Sequence, residues 1–277
     1  MNASVHPESS ASPSLVAILR QLPSQPRILD LGGWFCPLHE ATAVVDLMPY
    51  ETRRGRLALE PLPGERFTRA DWHQADFMAP GFRLPFDDKC CDFAYCGQTV
   101  EDLPDPARLL QEMMRVARAG FIRSPSRLIE QTRGVSDRQT SRSGFAHHHW
   151  ILDAPSQGLR LCAKDDSLRS ADATVLLPLR HYERVLASSG GKIVNALEYH
   201  WVGEFAPAFI RGEAAARLAR DFVREQHVRW DDRVLDPSIR WARTVKGRLL
   251  GRRGHAARSW WSRMVELSQP YSSLPLA

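Results

Sequence analysis

Short apolar runs broken by polar turns alternate along the first half of this chain with helical stretches, and their spacing predicts an open parallel sheet. Ile28 to Leu31 stops at the pair Gly32 and Gly33, and Ala43 to Leu47 stops near Asp46 and Pro49. Runs this short and this apolar suit strands covered on both faces. A third strand is expected within Phe67 to Asp76, a fourth over Cys91 to Cys96 ending at Gly97, and a fifth over Phe121 to Pro125. Between the last two, Ala107 to Ala119 carries Leu109, Leu110, Met113, Met114 and Val116 at helical spacing, with Gly120 as C-cap. Ser14 to Gln21 reads as a short helix with Ser14 as N-cap and Leu15, Ile18 and Leu19 on one face. This order of elements predicts a doubly wound, mostly parallel α/β sheet.

The link between the first two strands is short. Only about ten residues separate Gly33 from Val44, fewer than a crossover with a full helix needs. A crossover reduced to a turn or two, or an irregular one, is expected.

The strand ends carry the candidate chemistry. Paired glycines after a strand let a ligand approach backbone N–H groups, and an acid at the tip of the next strand is placed to hold a ribose hydroxyl pair. A tight turn with a solvated acid is the plainer reading. Asp76 followed by Phe77 suits an adenine, the carboxylate accepting from the exocyclic amine and the ring stacking. The same pair also fits a strand-end acid beside a core aromatic residue.

Taken in order, Ile28-Leu-Asp-Leu-Gly-Gly33, Asp46, Gln74-Ala-Asp76, Leu84-Pro-Phe86, Cys91-Asp-Phe-Ala-Tyr95, Val100-Glu-Asp102 and the helix ending at Gly120 resemble the class I S-adenosylmethionine-dependent methyltransferases, over about residues 14–126. The resemblance implies a Rossmann-like methyltransferase fold with S-adenosylmethionine as cofactor. It implies that Asp30 organises the glycine loop around the methionine amino group, and that Gly32 and Gly33 admit the cofactor. Asp46 would hold the ribose, Asp76 the adenine amine and Phe77 one adenine face. The loop from Cys96 through Gln98 to Glu101 would line the sulfonium end. Where the family pattern has its last glycine, this chain has Trp34, a wall for the pocket or a plug in it.

The second half holds a polar stretch from Arg127 to Ser143 and then Gly144-Phe-Ala-His-His-His-Trp150. A loop at the carboxyl edge of such a sheet is where a substrate lid sits. His147, His148 and His149 do not share one face of a strand or helix, so no metal held by all three is expected. One of them is expected to face the pocket as general base or hydrogen-bond partner of the acceptor, with His149 the first choice. The plainer alternative is a solvated loop and one core histidine. Trp150 to Lys164 reads as a hairpin, Leu179 to Ser188 as a helix, and Ile193 to Val202 as an antiparallel edge strand.

Composition adds limits. The chain of 277 residues has a net charge of +5 and five cysteines without paired spacing, which predicts free thiols and no zinc site. No apolar run of spanning length and no leader pattern stands out, so a cytoplasmic protein is expected. The positive charge lies beyond Arg211, where 14 Lys and Arg face 7 Asp and Glu. The expected organisation is an unstructured segment 1–13, a methyltransferase-like unit 14–210 with a lid near 127–170, and a basic helical extension 211–277. Basic residues interleaved with Trp and Leu over 211–265 suit an anionic membrane surface or a second protomer. Nucleic acid is disfavoured, since no known binding module is present.

The expected function is methyl transfer to an oxygen or nitrogen of a small or conjugated acceptor. The alternative is a non-catalytic methyltransferase-like binding or scaffold protein.

Overall fold

The computed structural model describes residues 12–55, 63–135, 143–145, 147–156, 158–165, 168, 174–189 and 195–234. A six-stranded sheet runs through it in the order β3-β2-β1-β4-β5-β8. β1 (Ile28–Leu31) pairs in parallel with β2 (Ala43–Asp46) on one side and β4 (Cys91–Gly97) on the other. β3 (Trp72–Gln74) and β5 (Ala117–Pro125) extend this parallel set, and β8 (Ala196–Val202) closes one edge antiparallel to β5. It is a mostly parallel, Rossmann-like α/β sheet.

Alternation along the strands divides the core into two layers. Leu29, Leu31, Val45, Ala94, Cys96 and Ile122 face α2 (Ala107–Val116), which contributes Leu109, Leu110, Met113 and Val116. Ile28, Val44, Phe93, Tyr95 and Phe121 face the other way, toward Leu15 of α1 (Pro13–Leu19) and toward Leu38, Tyr50, Phe67 and Trp72. The side chain that caps α1 belongs to Ser12, which accepts from the Leu15 N–H, and not to Ser14.

The expected irregular first crossover is present. No helix forms between β1 and β2; instead the chain is pinned by Asp30, whose Oδ2 accepts from the Leu38 N–H at 2.7 Å. The third strand is three residues rather than the expected longer stretch, because a 3-10 turn at Arg69–Asp71 occupies its approach. The fifth strand starts earlier than expected: α2 ends at Val116, and Ala117 is already extended. Gly120 is therefore a strand residue and not a helix cap, and its bare backbone makes room for the Trp201 ring on β8.

Trp150 to Lys164 forms the expected hairpin, β6 (Trp150–Asp153) antiparallel to β7 (Arg160–Ala163). A third strand not expected from sequence, β9 (Ala208–Ile210), adds in parallel to β7. The short α3 (Arg127–Glu130) precedes it, and α4 (Leu179–Ser188) ends where the sequence reading ended it. α5 (Gly212–Glu225) packs on the hairpin sheet through Ala215 and Ala219, so the start of the basic extension is built into the folded body. The half-buried Arg127 ties these parts together, donating to Gln131 Oε1, to Asp153 Oδ2 and to the Leu218 carbonyl. The expected helix over Trp241–Glu266 and residues 1–11 of the expected unstructured segment 1–13 lie outside the described residues, while Ser12 and Pro13 of that segment begin α1 as its cap and first residue. Among the described residues no helix is long and apolar enough to cross a membrane.

Candidate active site

Strand ends at the carboxyl edge of the sheet assemble two neighbouring groups of side chains. The first surrounds β1, β2 and β3. Gly32 has a φ of +80°, and a Cβ there would stand 1.9 Å from Thr99 Oγ1, so both conformation and space demand glycine. At Gly33 a Cβ would stand 2.5 Å from Asp30 Oδ2, because the chain passes directly over that carboxylate. Burial raises the Asp30 carboxyl to about 7, against the Leu38 N–H bond and with the nearby Asp46 charge adding to the rise.

Asp46, at the tip of β2, accepts from the Trp34 N–H at 2.9 Å through Oδ2 and from the Met48 N–H at 2.7 Å through Oδ1. Burial lifts it to about 6 in spite of those two bonds. The Trp34 ring turns toward the loop after β2, where its N–H donates to the Thr52 carbonyl at 2.8 Å and hydroxyl at 3.1 Å. It thus fastens the glycine loop to that loop. Asp76 is half-buried just past β3, and its Oδ1 accepts from the Met78 N–H.

Phe77 does not line this edge. It is buried against Phe82 in the core, with ring centroids 5.4 Å apart, because the turn after Asp76 points it inward. The apolar side chains standing exposed here are Leu47, directly after Asp46, together with Met78 and Phe35.

The second group lies beyond β4. Cys96 is wholly buried in the core, with its thiol pushed well up by burial, and is therefore structural. Gln98 is exposed with a φ of +57° and donates its N–H to the Arg123 carbonyl, which fixes the bend after the strand. Glu101 is wholly buried, and neither of its carboxylate oxygens has a hydrogen-bond partner. Burial, with the Asp102 and Glu130 charges beside it, drives its carboxyl well above the usual carboxylate range.

Asp102, next in the chain, reaches the histidine segment. Its Oδ1 lies 3.4 Å from His148 Nε2 and 3.8 Å from His147 Nε2. Burial raises the Asp102 carboxyl, opposed by His148 and His147; burial and His148 lower His147. Behind them Glu130, at the end of α3, is buried: its Oε1 lies 2.6 Å from His148 Nδ1, and its Oε2 accepts from Lys164 Nζ at 2.7 Å. The lysine also donates to the Phe145 and Ser143 carbonyls.

The three histidines are thus separated by the extended backbone. His148 points inward, His147 stands at the rim with its ring edge-on to His148, and His149 points to solvent. His149, first choice from sequence, contributes only its backbone: its N–H donates to the Glu101 carbonyl at 2.7 Å, and its carbonyl accepts from Lys164. The hairpin is stitched by these bonds, and by the Trp150 ring N–H to the Leu103 carbonyl, onto the turn after β4. Asp102, Glu130, Lys164, Leu47 and Met78 were not picked out as site residues in the sequence. Leu47 and Met78 carried a local signal as apolar residues beside strand-end acids. Glu130 and Lys164 carried none, since only the folded hairpin joins them.

Residues 32–122 match a family model described as a methyltransferase domain. Over this third of its length the chain is similar to methyltransferase domains. Among solved structures, an S-adenosylmethionine-dependent methyltransferase from Mesorhizobium loti is 26% identical over 43% of this chain and 56% of that one, with a TM-score of 0.30. The YcgJ protein of Bacillus subtilis is 16% identical over 41% and 50%, TM-score 0.28. A methyltransferase from Aquifex aeolicus is 17% identical over 41% and 64%, TM-score 0.26. The chain spans about half the length of the first two. No curated protein matches the chain.

The residues of the methyltransferase domain fit S-adenosylmethionine. Asp46 has used two of about four lone-pair sites on backbone N–H groups and keeps the others for ribose hydroxyls. Leu47, Met78 and Phe35, exposed at the tips beside Asp46 and Asp76, offer the apolar wall an adenine needs. The glycine loop has no helix N-terminus behind it, which suits a cofactor whose methionine end carries an amine as well as a carboxylate.

Proposed function

We propose that the protein transfers a methyl group from S-adenosylmethionine to an oxygen or nitrogen nucleophile of a small or conjugated acceptor, bound between Glu101, Asp102 and His148. The bound cofactor supplies an electrophilic methyl group on a sulfonium. Everything else falls to the chain. Asp46 holds the ribose, Leu47 and Met78 cover the adenine, and Asp76 accepts from its amine. Asp30 keeps the glycine loop in place through Leu38.

The observation that carries the acceptor side is the 2.6 Å contact between Glu130 and His148 Nδ1. Glu130 is ion-paired to Lys164 and accepts from His148 Nδ1, which leaves Nε2 as the ring nitrogen that faces Asp102. An X–H nucleophile meeting Nε2 and the Asp102 carboxylate is held by its proton, with its own lone pair aimed away from them. Displacement at the methyl carbon then needs that orientation more than it needs a strong base.

Calorimetric titration with S-adenosylmethionine and S-adenosylhomocysteine, wild type beside Asp46→Ala, tests the reading. Micromolar binding that the variant loses is expected. No binding of either ligand at millimolar concentration would overturn it and leave a scaffold that keeps the fold alone.

A further inference from the structure

Three electron-pair donors converge at the acceptor pocket: His147 Nε2, His148 Nε2 and Asp102 Oδ1 all lie within 4.8 Å of one another. The two histidine–carboxylate separations, 3.4 and 3.8 Å, exceed what a charge-assisted hydrogen bond adopts. They are close to the edge of a tetrahedron drawn around an ion with ligands at about 2.0–2.1 Å, roughly 3.3 Å. Two imidazoles and one carboxylate form a set that first-row divalent ions accept with positions left over.

Two further features support this arrangement. His148 gives its Nδ1 to a buried carboxylate at 2.6 Å, the outer partner that fixes a metal-binding histidine's tautomer and ring plane. That carboxylate is itself locked by Lys164. On the other side the pocket is open, since the His147 side chain is 68% exposed and Asp102 42%. Three protein ligands and an open side are the arrangement of a catalytic rather than a structural ion.

We propose that Asp102, His147 and His148 bind a divalent transition-metal ion such as Zn²⁺, and that the methyl acceptor is an oxygen nucleophile that enters as a further ligand of the ion. The second half rests on the methyltransferase reading above; the first does not. With the ion present, the His148 lone pair becomes a bond to the metal. The acceptor hydroxyl then loses its proton because coordination to a cation lowers its pKa. The metal and the acceptor keep their oxidation states, and the proton passes to solvent on the open side.

The full-length protein, stripped with a chelator, is titrated with Co²⁺ and followed by visible absorption, and with Zn²⁺ by calorimetry. One ion per chain is expected, with the visible bands of four- or five-coordinate Co²⁺. His147→Ala, at an exposed position that does not threaten the fold, is expected to abolish the bands. Glu130→Gln is expected to weaken Zn²⁺ binding by about 10–100-fold. His149→Ala, outside the cluster, binds as wild type. Binding that His147→Ala leaves intact, or no binding at stoichiometric concentration, overturns the metal site. Asp46→Ala separates the two claims: it is expected to lose S-adenosylmethionine and keep the Co²⁺ spectrum. Methyl transfer to an oxygen acceptor at full rate in chelated protein overturns the role given to the ion while leaving the methyltransferase reading in place.

Discussion

Glu130 holds His148 and Lys164 at once, 2.6 Å from the imidazole Nδ1 and 2.7 Å from the ammonium. One carboxylate at the end of a single-turn helix therefore joins the acceptor pocket to the hairpin that covers it. These bonds fasten the hairpin to the turn after β4 and to α3.

This relationship gives the first prediction. Glu130→Ala leaves the buried Lys164 ammonium without its counter-charge, and breaking a buried pair from one side costs about 3–5 kcal/mol. Urea unfolding of the variant measures the loss. Glu130→Ala combined with Lys164→Met is expected to recover most of it. A single-variant loss under about 1 kcal/mol would mean that the pair contributes little and that backbone bonds alone seat the hairpin.

The cofactor wall is testable without disturbing the core. Leu47 is 50% exposed and Met78 39%, so truncating either to alanine is expected to change stability by no more than about 0.5 kcal/mol. The pair together is expected to weaken S-adenosylmethionine binding by about tenfold, equivalent to about 1.4 kcal/mol. Phe77→Leu is expected to do the reverse, lowering stability through its contact with Phe82 while leaving affinity within a factor of two or three of wild type, roughly 0.5 kcal/mol. Equal affinity in the Leu47 and Met78 variants would remove them from the adenine site.

These residues also mark where sequence reading stops. The strands of the main sheet, the irregular first crossover and the antiparallel edge strand were legible, because each buried run announces itself by its own composition. The places of Asp30 and Asp46 at the carboxyl ends of β1 and β2 were legible for the same local reason. Phe77 and Met78 were exchanged because a turn of one or two residues decides which of two neighbouring apolar side chains faces the core. His148 and His149 were exchanged likewise: in extended chain adjacent residues point to opposite sides, and only the register of β6 with β7 settles which points in. Glu130 and Lys164, 34 positions apart, meet through tertiary packing that leaves no periodic trace.

Asp30 supplies a pH prediction. Its folded pKa of about 7 stands above the ordinary value of 3.8, so between those values the folded protein holds a proton that the unfolded chain has released. Stability is then greatest near pH 4 and falls as pH rises toward about 7, with Asp46 adding in the same direction up to about 6. Melting temperature measured from pH 4 to 8 is expected to decline across this window, after allowance for the remaining groups by comparison with Asp30→Asn. That variant cannot titrate, and its profile is expected to be flatter. A wild-type profile that runs parallel to the variant's over the same range would show that Asp30 is ionised in the fold.

Trp34 stands where the family pattern that the sequence resembles has its last glycine, and its hydrogen bonds favour a wall over a plug. Its backbone N–H is bound to Asp46 and its ring N–H to Thr52, so the side chain bridges the glycine loop and the loop after β2 instead of projecting over the strand ends. Removing the ring should therefore loosen the cofactor site rather than open it. Trp34→Gly is expected to lower S-adenosylmethionine affinity by about tenfold or more, through the mobility released in a loop that has no helix behind it. Trp34→Phe, which keeps the bulk and loses only the ring N–H bonds, is expected to fall between the two. Tighter binding by the glycine variant would identify Trp34 as a plug and make the site of the wild-type protein a closed one.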